Sequence, residues 1–170
     1  MEKTLRVLNE LQDAGIIEKY AVGGAVAATF YMEPVATYDL DIFVVLPEKK
    51  TVLTTLSPIY EYLRGKGYAE QEAHIIIEGV PVQFIPIYNA LVEEAVDHAR
   101  NTRYGKVKTR VLRPEYLAAI MLQTNRPKDR TRLTAFVEEA KMDKENLERI
   151  LKDHGLTRKW QEFGRRFRAK

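Results

Sequence analysis

The stretch Tyr20-Ala-Val-Gly-Gly-Ala-Val-Ala-Ala-Thr-Phe-Tyr-Met-Glu-Pro-Val-Ala-Thr-Tyr-Asp-Leu-Asp-Ile-Phe-Val-Val-Leu46 decides the fold. The run Ile42–Leu46 has the composition of a strand buried on both faces. Side chains alternate along a strand at about 3.3 Å per residue, so Asp39 and Asp41 point the same way with backbones about 6.6 Å apart. Two like charges at the edge of a core raise each other's pKa and cost desolvation, so a cation between them is expected. Hard divalent ions take carboxylate oxygens, often with substrate phosphates as further ligands. A solvated loop before the strand is the plainer alternative for such a pair. Gly23-Gly24 follows a short strand, about Glu18 to Val22, and permits a tight turn and close backbone approach to a ligand. Ala25 to Met32 then reads as a short apolar helix whose first N–H groups suit a phosphate.

Strand, Gly-Gly, helix, loop, Asp-x-Asp and buried strand together resemble the nucleotidyltransferase superfamily that includes DNA polymerase beta. Thr37-Tyr-Asp-Leu-Asp-Ile-Phe-Val is similar to its signature, and Ala25–Tyr38 is longer than the matching segment in many members. It is similar to the branch that holds AbiEii-type toxins and many small uncharacterised bacterial proteins. The signature covers about one sixth of the chain, with weaker likeness to about residue 135.

The resemblance implies a metal-dependent nucleotidyltransferase that moves an NMP from a nucleoside triphosphate to a hydroxyl of RNA, protein or a small molecule. Asp39 and Asp41 would be catalytic and would hold Mg²⁺ (or Mn²⁺); Gly23, Gly24 and Thr37 would contact the nucleotide. Many members add a third carboxylate on a later strand. Here that strand is Gly79–Pro86 and the position is Gln83, which offers a carbonyl oxygen to a metal but no base at neutral pH. A degenerate nucleotide-binding protein, or a toxin-type protein acting through an antitoxin-like partner, is therefore the alternative. His74 on the preceding strand is read first as a surface residue. Asn125-Arg-Pro-Lys-Asp-Arg-Thr-Arg132 resembles a distal motif of the toxin branch, which would bring Arg126, Lys128, Asp129 and Arg130 to the site. The lysine usual one or two turns earlier is absent: the turn reads Ala119-Ile-Met-Leu-Gln.

The remaining sequence sets limits. Of 170 residues, 45% are apolar and 30% charged, as in an ordinary globular protein. There are no cysteines, hence no disulfides or thiolate metal sites. The N-terminus has no apolar signal core and no apolar run approaches membrane-spanning length, so a cytoplasmic protein without membrane contact is expected. The net charge of +3 hides an asymmetry: residues 1–99 carry 7 Lys/Arg and 15 Asp/Glu, residues 100–170 carry 20 and 9. The basic half fits an anionic partner such as RNA, or simple attraction between the halves. In the tail, Trp160, Phe163 and Phe167 share one face of a helix, which fits docking on the core, with the arginines left outside.

The pattern predicts an α/β (α+β) fold: a mixed sheet of four or five strands in a core of residues 1–112, and a helical C-terminal part, 113–170, packed on it. Glu2–Ala14 reads as a helix stopped at Gly15, and Thr51–Lys66 as a helix with a possible break at Ser57-Pro58. Glu70–Ile77 and Val80–Ile87 form a hairpin at Glu78-Gly79. Asn89–Arg100 reads as helix and Val107–Leu112 as strand. Helices follow from Pro114, Pro127, Asp143 and Thr157.

Overall fold

The computed structural model describes residues 1–34, 36–47 and 56–167. In chain order it contains α1 (Glu2–Asp13), β1 (Lys19–Val22), α2 (Gly24–Ala28), β2 (Leu40–Val45), α3 (Ser57–Gly65), β3 (Ala69–Gln71), β4 (His74–Ile77), β5 (Val80–Pro86), α4 (Ala90–Asp97), β6 (Arg100–Tyr104), β7 (Val107–Val111), α5 (Pro114–Thr124), α6 (Pro127–Glu139), α7 (Lys144–Asp153) and α8 (Thr157–Phe167). The strands form one mixed sheet in the order β3-β4-β5-β2-β1-β7-β6.

The apolar run at Ile42 becomes β2, the middle strand, with Leu40, Ile42 and Val44 fully buried. It pairs parallel with β5 and antiparallel with β1. Helices α2 and α4 pack on it, and such covering of a strand's side chains is what selects an apolar sequence. α1 buries Leu5, Leu8 and Leu11 and packs on β7; α2 and α4 pack on β2. The Glu78-Gly79 turn has positive φ at both residues, 51° and 78°, matching the right-handed twist of the β4–β5 hairpin. Asn89 caps α4 by accepting from Val92 N, and Asp143 caps α7 by accepting from Asn146 N. Both caps were legible as Asn or Asp before an apolar helical run.

Three expectations need correction. The sheet has seven strands among the described residues, not four or five. Glu70–Ile77 is two strands, broken at Glu72, whose φ is +55°. The helix expected through Arg100 ends at Asp97, and Arg100 opens β6. β3 and β6 are the sheet's largely exposed outer strands, mostly polar, so neither carries the apolar alternation that marks a strand. Their ladders to β4 and β7 hold them instead. Of the helix expected over Thr51–Lys66 the described part runs from Ser57 to Gly65; residues 51–55 lie outside the described set. No helix among the described residues is long and apolar enough to cross a membrane.

One polar cluster ties α5 and α7 to α4. Glu94 on α4 accepts from Tyr116 Oη at 2.7 Å, from Arg149 Nη1 at 2.9 Å and from His154 Nε2 at 2.7 Å. Partial burial opposes its charge, but the bonds from Tyr116, His154 and Arg149 outweigh burial and bring its carboxyl down to about 2. The Tyr116 hydroxyl, buried and donating to Glu94, is pushed up to about 12. Because Glu94 is depressed in the folded state, its contribution is present above the unfolded carboxylate value of 4.5 and is lost as pH falls towards about 2. Glu94→Gln should cost about 2 kcal/mol, the scale of hydrogen bonds to a charged group. That corresponds to a Tm lowered by about 6 °C at pH 7. At pH 2 wild type and variant should converge. Thermal unfolding followed by circular dichroism at both pH values checks this; a gap unchanged at pH 2 would remove the charge argument.

Candidate active site

The site is built where β1 ends beside β2. Gly23 N donates to Asp41 O at 2.9 Å, so the turn after β1 is fastened to the backbone of the second acid. A Cβ at Gly23 would strike the Phe43 ring. Gly24 has φ +58°, and a Cβ there would collide with Asp41 Oδ2. The pair thus does more than turn the chain: Gly24 makes room for a carboxylate directly against the start of α2. α2 itself is five residues long, shorter than the expected Ala25–Met32, because Thr29–Met32 leaves it in turns. What it presents is its opening amides, which lack intrahelical acceptors, more than a helix dipole.

Asp41 is the second residue of β2 and lies in register with Gln83 on parallel β5. Adjacent in-register residues share a face, so Gln83 stands beside Asp41. Gly24, Asp39, Asp41 and Gln83 line one cleft of about 440 Å³. Tyr88, Arg126 at the N-cap of α6, and Lys128 and Arg132 of α6 line it too; Leu117, Ile120 and Met121 of α5 supply an apolar wall. The volume suits a small organic ligand. A second cavity of about 420 Å³ lies beyond Asp39 and shares Asp39, Lys128 and Arg132 with the first. Thr37, Tyr38, Glu72 and His74 line it.

The electrostatics follow from this placement. Burial raises the pKa of Asp41, the charge on Asp39 raises it further, and Lys128, Arg126 and Arg132 pull it back without cancelling the rise. Asp39 is steadied by Thr37 Oγ1, which donates to Oδ1 at 3.0 Å. His74 Nε2 lies 3.7 Å from Asp39 Oδ2 and is buried without a hydrogen-bond partner.

Several expected residues therefore change role. Thr37 lines the outer cavity and orients Asp39, and is not among the residues lining the cleft. His74, read as a surface residue, faces Asp39. Asp129 lines the cleft but is only 3% exposed, and its oxygens are taken. Thr124 Oγ1 donates to Oδ2 at 2.8 Å, Arg126 Nε to Oδ2 at 2.7 Å and Arg126 Nη2 to Oδ1 at 3.2 Å. Burial works against its charge and these bonds prevail, lowering its pKa. Asp129 thus caps α6 and holds Arg126. Arg130 leaves the site altogether: it lies against α8 on another face of α6. Arg132, four residues after Lys128, takes the place expected for it. Helical spacing was the available signal, since residues i and i+4 share a face and residue i+2 does not.

The donors present fit a hard divalent ion. Asp39 and Asp41 supply carboxylate oxygens, Gln83 an amide oxygen, and the raised pKa of Asp41 marks an acid short of positive charge. Among the described residues no group of three or more His, Cys, Asp or Glu side chains forms a metal cage. An ion held here would complete its shell from substrate and water, as Mg²⁺ does at phosphate sites.

No protein-family model matches this chain, and no curated protein matches it in sequence. Among solved structures the chain is similar to an antigenic nucleotidyltransferase-like protein from Paracoccidioides brasiliensis. The likeness covers 98% of this chain and 91% of that one, with a TM-score of 0.59 and 15% sequence identity. The chain therefore has a nucleotidyltransferase-like fold.

Proposed function

We propose that the chain is a metal-dependent nucleotidyltransferase that takes a nucleoside triphosphate in the cleft between β2 and α6. The observation that carries this reading is the convergence of Asp39 and Asp41 beside the Gly24 turn, with Lys128 and Arg132 lining the same cleft. Asp39 and Asp41 would hold Mg²⁺ or Mn²⁺, which neutralises charge on the attacking and leaving oxygens when bound. Thr37 fixes one Asp39 oxygen and Gly24 leaves space for the Asp41 carboxylate. Lys128 and Arg132 meet the triphosphate charge, and the opening amides of α2 add uncharged donors. Tyr88 and the α5 wall offer the base an apolar surface. The acceptor hydroxyl, on RNA, protein or a small molecule, would enter past Asp39 through the outer cavity, attack the α-phosphate and release pyrophosphate.

Lys128→Ala and Arg132→Ala should each weaken nucleotide binding about tenfold, the scale of one hydrogen bond to a charged group. Arg130→Ala, on the other face of α6, should leave nucleotide affinity unchanged. Calorimetric titration with a non-hydrolysable triphosphate analogue and Mg²⁺ separates these outcomes; equal losses for all three would indicate a general charge effect and not a site.

Gln83 favours a second reading, a protein that binds nucleotide without transferring it. Incubation with Mg²⁺, each α-labelled nucleoside triphosphate and total RNA distinguishes the two. Label transfer abolished by Asp39→Ala and by Asp41→Ala supports the enzyme. Metal-dependent binding without transfer supports the binding protein. Neither, with a second protein co-purifying, would fit an antitoxin-like partner and defeat both.

A further inference from the structure

We infer that Arg130, Lys159 and Arg166 form a second anion site, sized for a single phosphate group, between α5, α6 and α8. It lies outside the acidic cleft and does not depend on the chemistry proposed there.

The site is a cavity of about 80 Å³ whose lining includes Asn125, Arg130, Lys159, Glu162, Phe163 and Arg166. Arg130 is one of the residues lining it, and its Nε is buried without a hydrogen-bond partner. An N–H of a charged guanidinium held out of water needs an acceptor, and nearly all such groups in folded proteins have one. The surroundings in the fold do not supply it. Among the described residues no carboxylate lies within ion-pair distance of Arg130, Lys159 or Arg166. The acid on the rim, Glu162, accepts from Arg158 Nε at 3.1 Å. Lys159 Nζ makes only a long bond, 3.4 Å, to the Gln123 carbonyl.

Size and charge define what fits. At about 80 Å³ the cavity is far smaller than the cleft of about 440 Å³, which suits a single phosphate group better than a whole nucleotide. Three cations against one acid that is already paired favour an anion. The guanidinium edge presents parallel N–H donors to two oxygens of one phosphate, and Lys159 adds a point charge. Two sources share this chemistry: free inorganic phosphate and a backbone phosphate of single-stranded RNA.

The chain carries its own reporter. Trp160 is its single tryptophan, and its ring stacks on Phe163 with centroids 5.7 Å apart and planes at 25°. Phe163 lines the cavity. The full chain, free of phosphate buffer, is titrated with inorganic phosphate and, separately, with a short oligouridylate. Ionic strength is held constant with chloride, and both Trp160 fluorescence and heat are followed. The expected result is a saturable response to phosphate that chloride does not produce. Arg130→Gln should weaken it at least tenfold, and Lys159→Gln, an exposed position that leaves the fold intact, severalfold. Lys128→Ala, in the acidic cleft, should leave the Trp160 response to phosphate as in wild type. If oligouridylate saturates the same signal at lower phosphate concentration, with the same dependence on Arg130, the group is a backbone phosphate; if inorganic phosphate alone does so, it is the free ion. No saturable response by either method, a response matched by chloride, or one that survives Lys159→Gln and Arg130→Gln unchanged overturns the site. Should Arg130→Gln fail to fold, Lys159→Gln and Lys128→Ala decide between this cavity and the cleft.

Discussion

Asp41→Asn is expected to abolish label transfer while making the metal-free protein more stable. The two effects have one cause. Burial and the neighbouring Asp39 raise the pKa of Asp41, so the folded chain holds that proton more tightly than the unfolded chain does. Above the raised pKa the charged carboxylate therefore weighs against folding, and stability falls as pH rises through it. An amide of the same shape removes this opposition. Relief of a strained functional position commonly stabilises by about 1 kcal/mol, which is about 3 °C in Tm for a chain of this length. The same substitution removes a negatively charged metal ligand, and several kcal/mol of transition-state stabilisation go with it, so transfer should fall by at least about 10³-fold. Calorimetric melting in a chelator and in Mg²⁺, beside the transfer assay, tests both halves. Mg²⁺ should raise the Tm of wild type and leave that of the variant unmoved. A variant less stable than wild type in chelator, or one keeping transfer within about tenfold, would contradict the role given to Asp41.

Gly24→Ala should be unusually damaging for the addition of one methyl group. Two penalties combine at this residue. Its φ of +58° is left-handed, a region that costs a residue bearing Cβ about 1 to 2 kcal/mol. The new methyl would also collide with Asp41 Oδ2, at a carboxylate whose strand is fixed by partners on both sides. Relief requires moving α2 off β2 or turning Asp41 out of the cleft. A total near 3 kcal/mol and a Tm lowered by about 9 °C are expected, with loss of Mg²⁺-dependent stabilisation in whatever remains folded. Gly79→Ala is the comparison: its φ of +78° is also left-handed, but a Cβ there meets nothing within 4 Å. It should cost only the backbone penalty and spare metal binding. Equal losses at the two glycines would show that the Gly24–Asp41 contact has no special weight.

Parts of this molecule are written locally and were legible as such. The run at Ile42 could only be an interior strand, because five successive apolar residues leave no face for water. The period-2 rule set Asp39 and Asp41 on one side, and register with β5 then brought Gln83 to the same cleft. The Glu78-Gly79 turn is decided by left-handed backbone that few residues tolerate, and the caps at Asn89 and Asp143 by side-chain oxygens that accept from Val92 N and Asn146 N. The outer strands escaped because ladder hydrogen bonds, and not side-chain pattern, hold Ala69–Gln71 and Arg100–Tyr104 in the sheet.

By itself, then, the sequence determined the acid pair, the glycine turn and the central strand, since each depends on residues close together in the chain. Only the tertiary structure decided the use of the distant groups. It turned His74 towards Asp39, tied the Asp129 carboxylate to Thr124 and Arg126, and sent Arg132 into the cleft while Arg130 went to α8. The physical reason is that a side chain's role depends on what is packed opposite it. For α6 that is set by its rotation against α5 and α8, which packing of the whole chain fixes and no short stretch of sequence encodes.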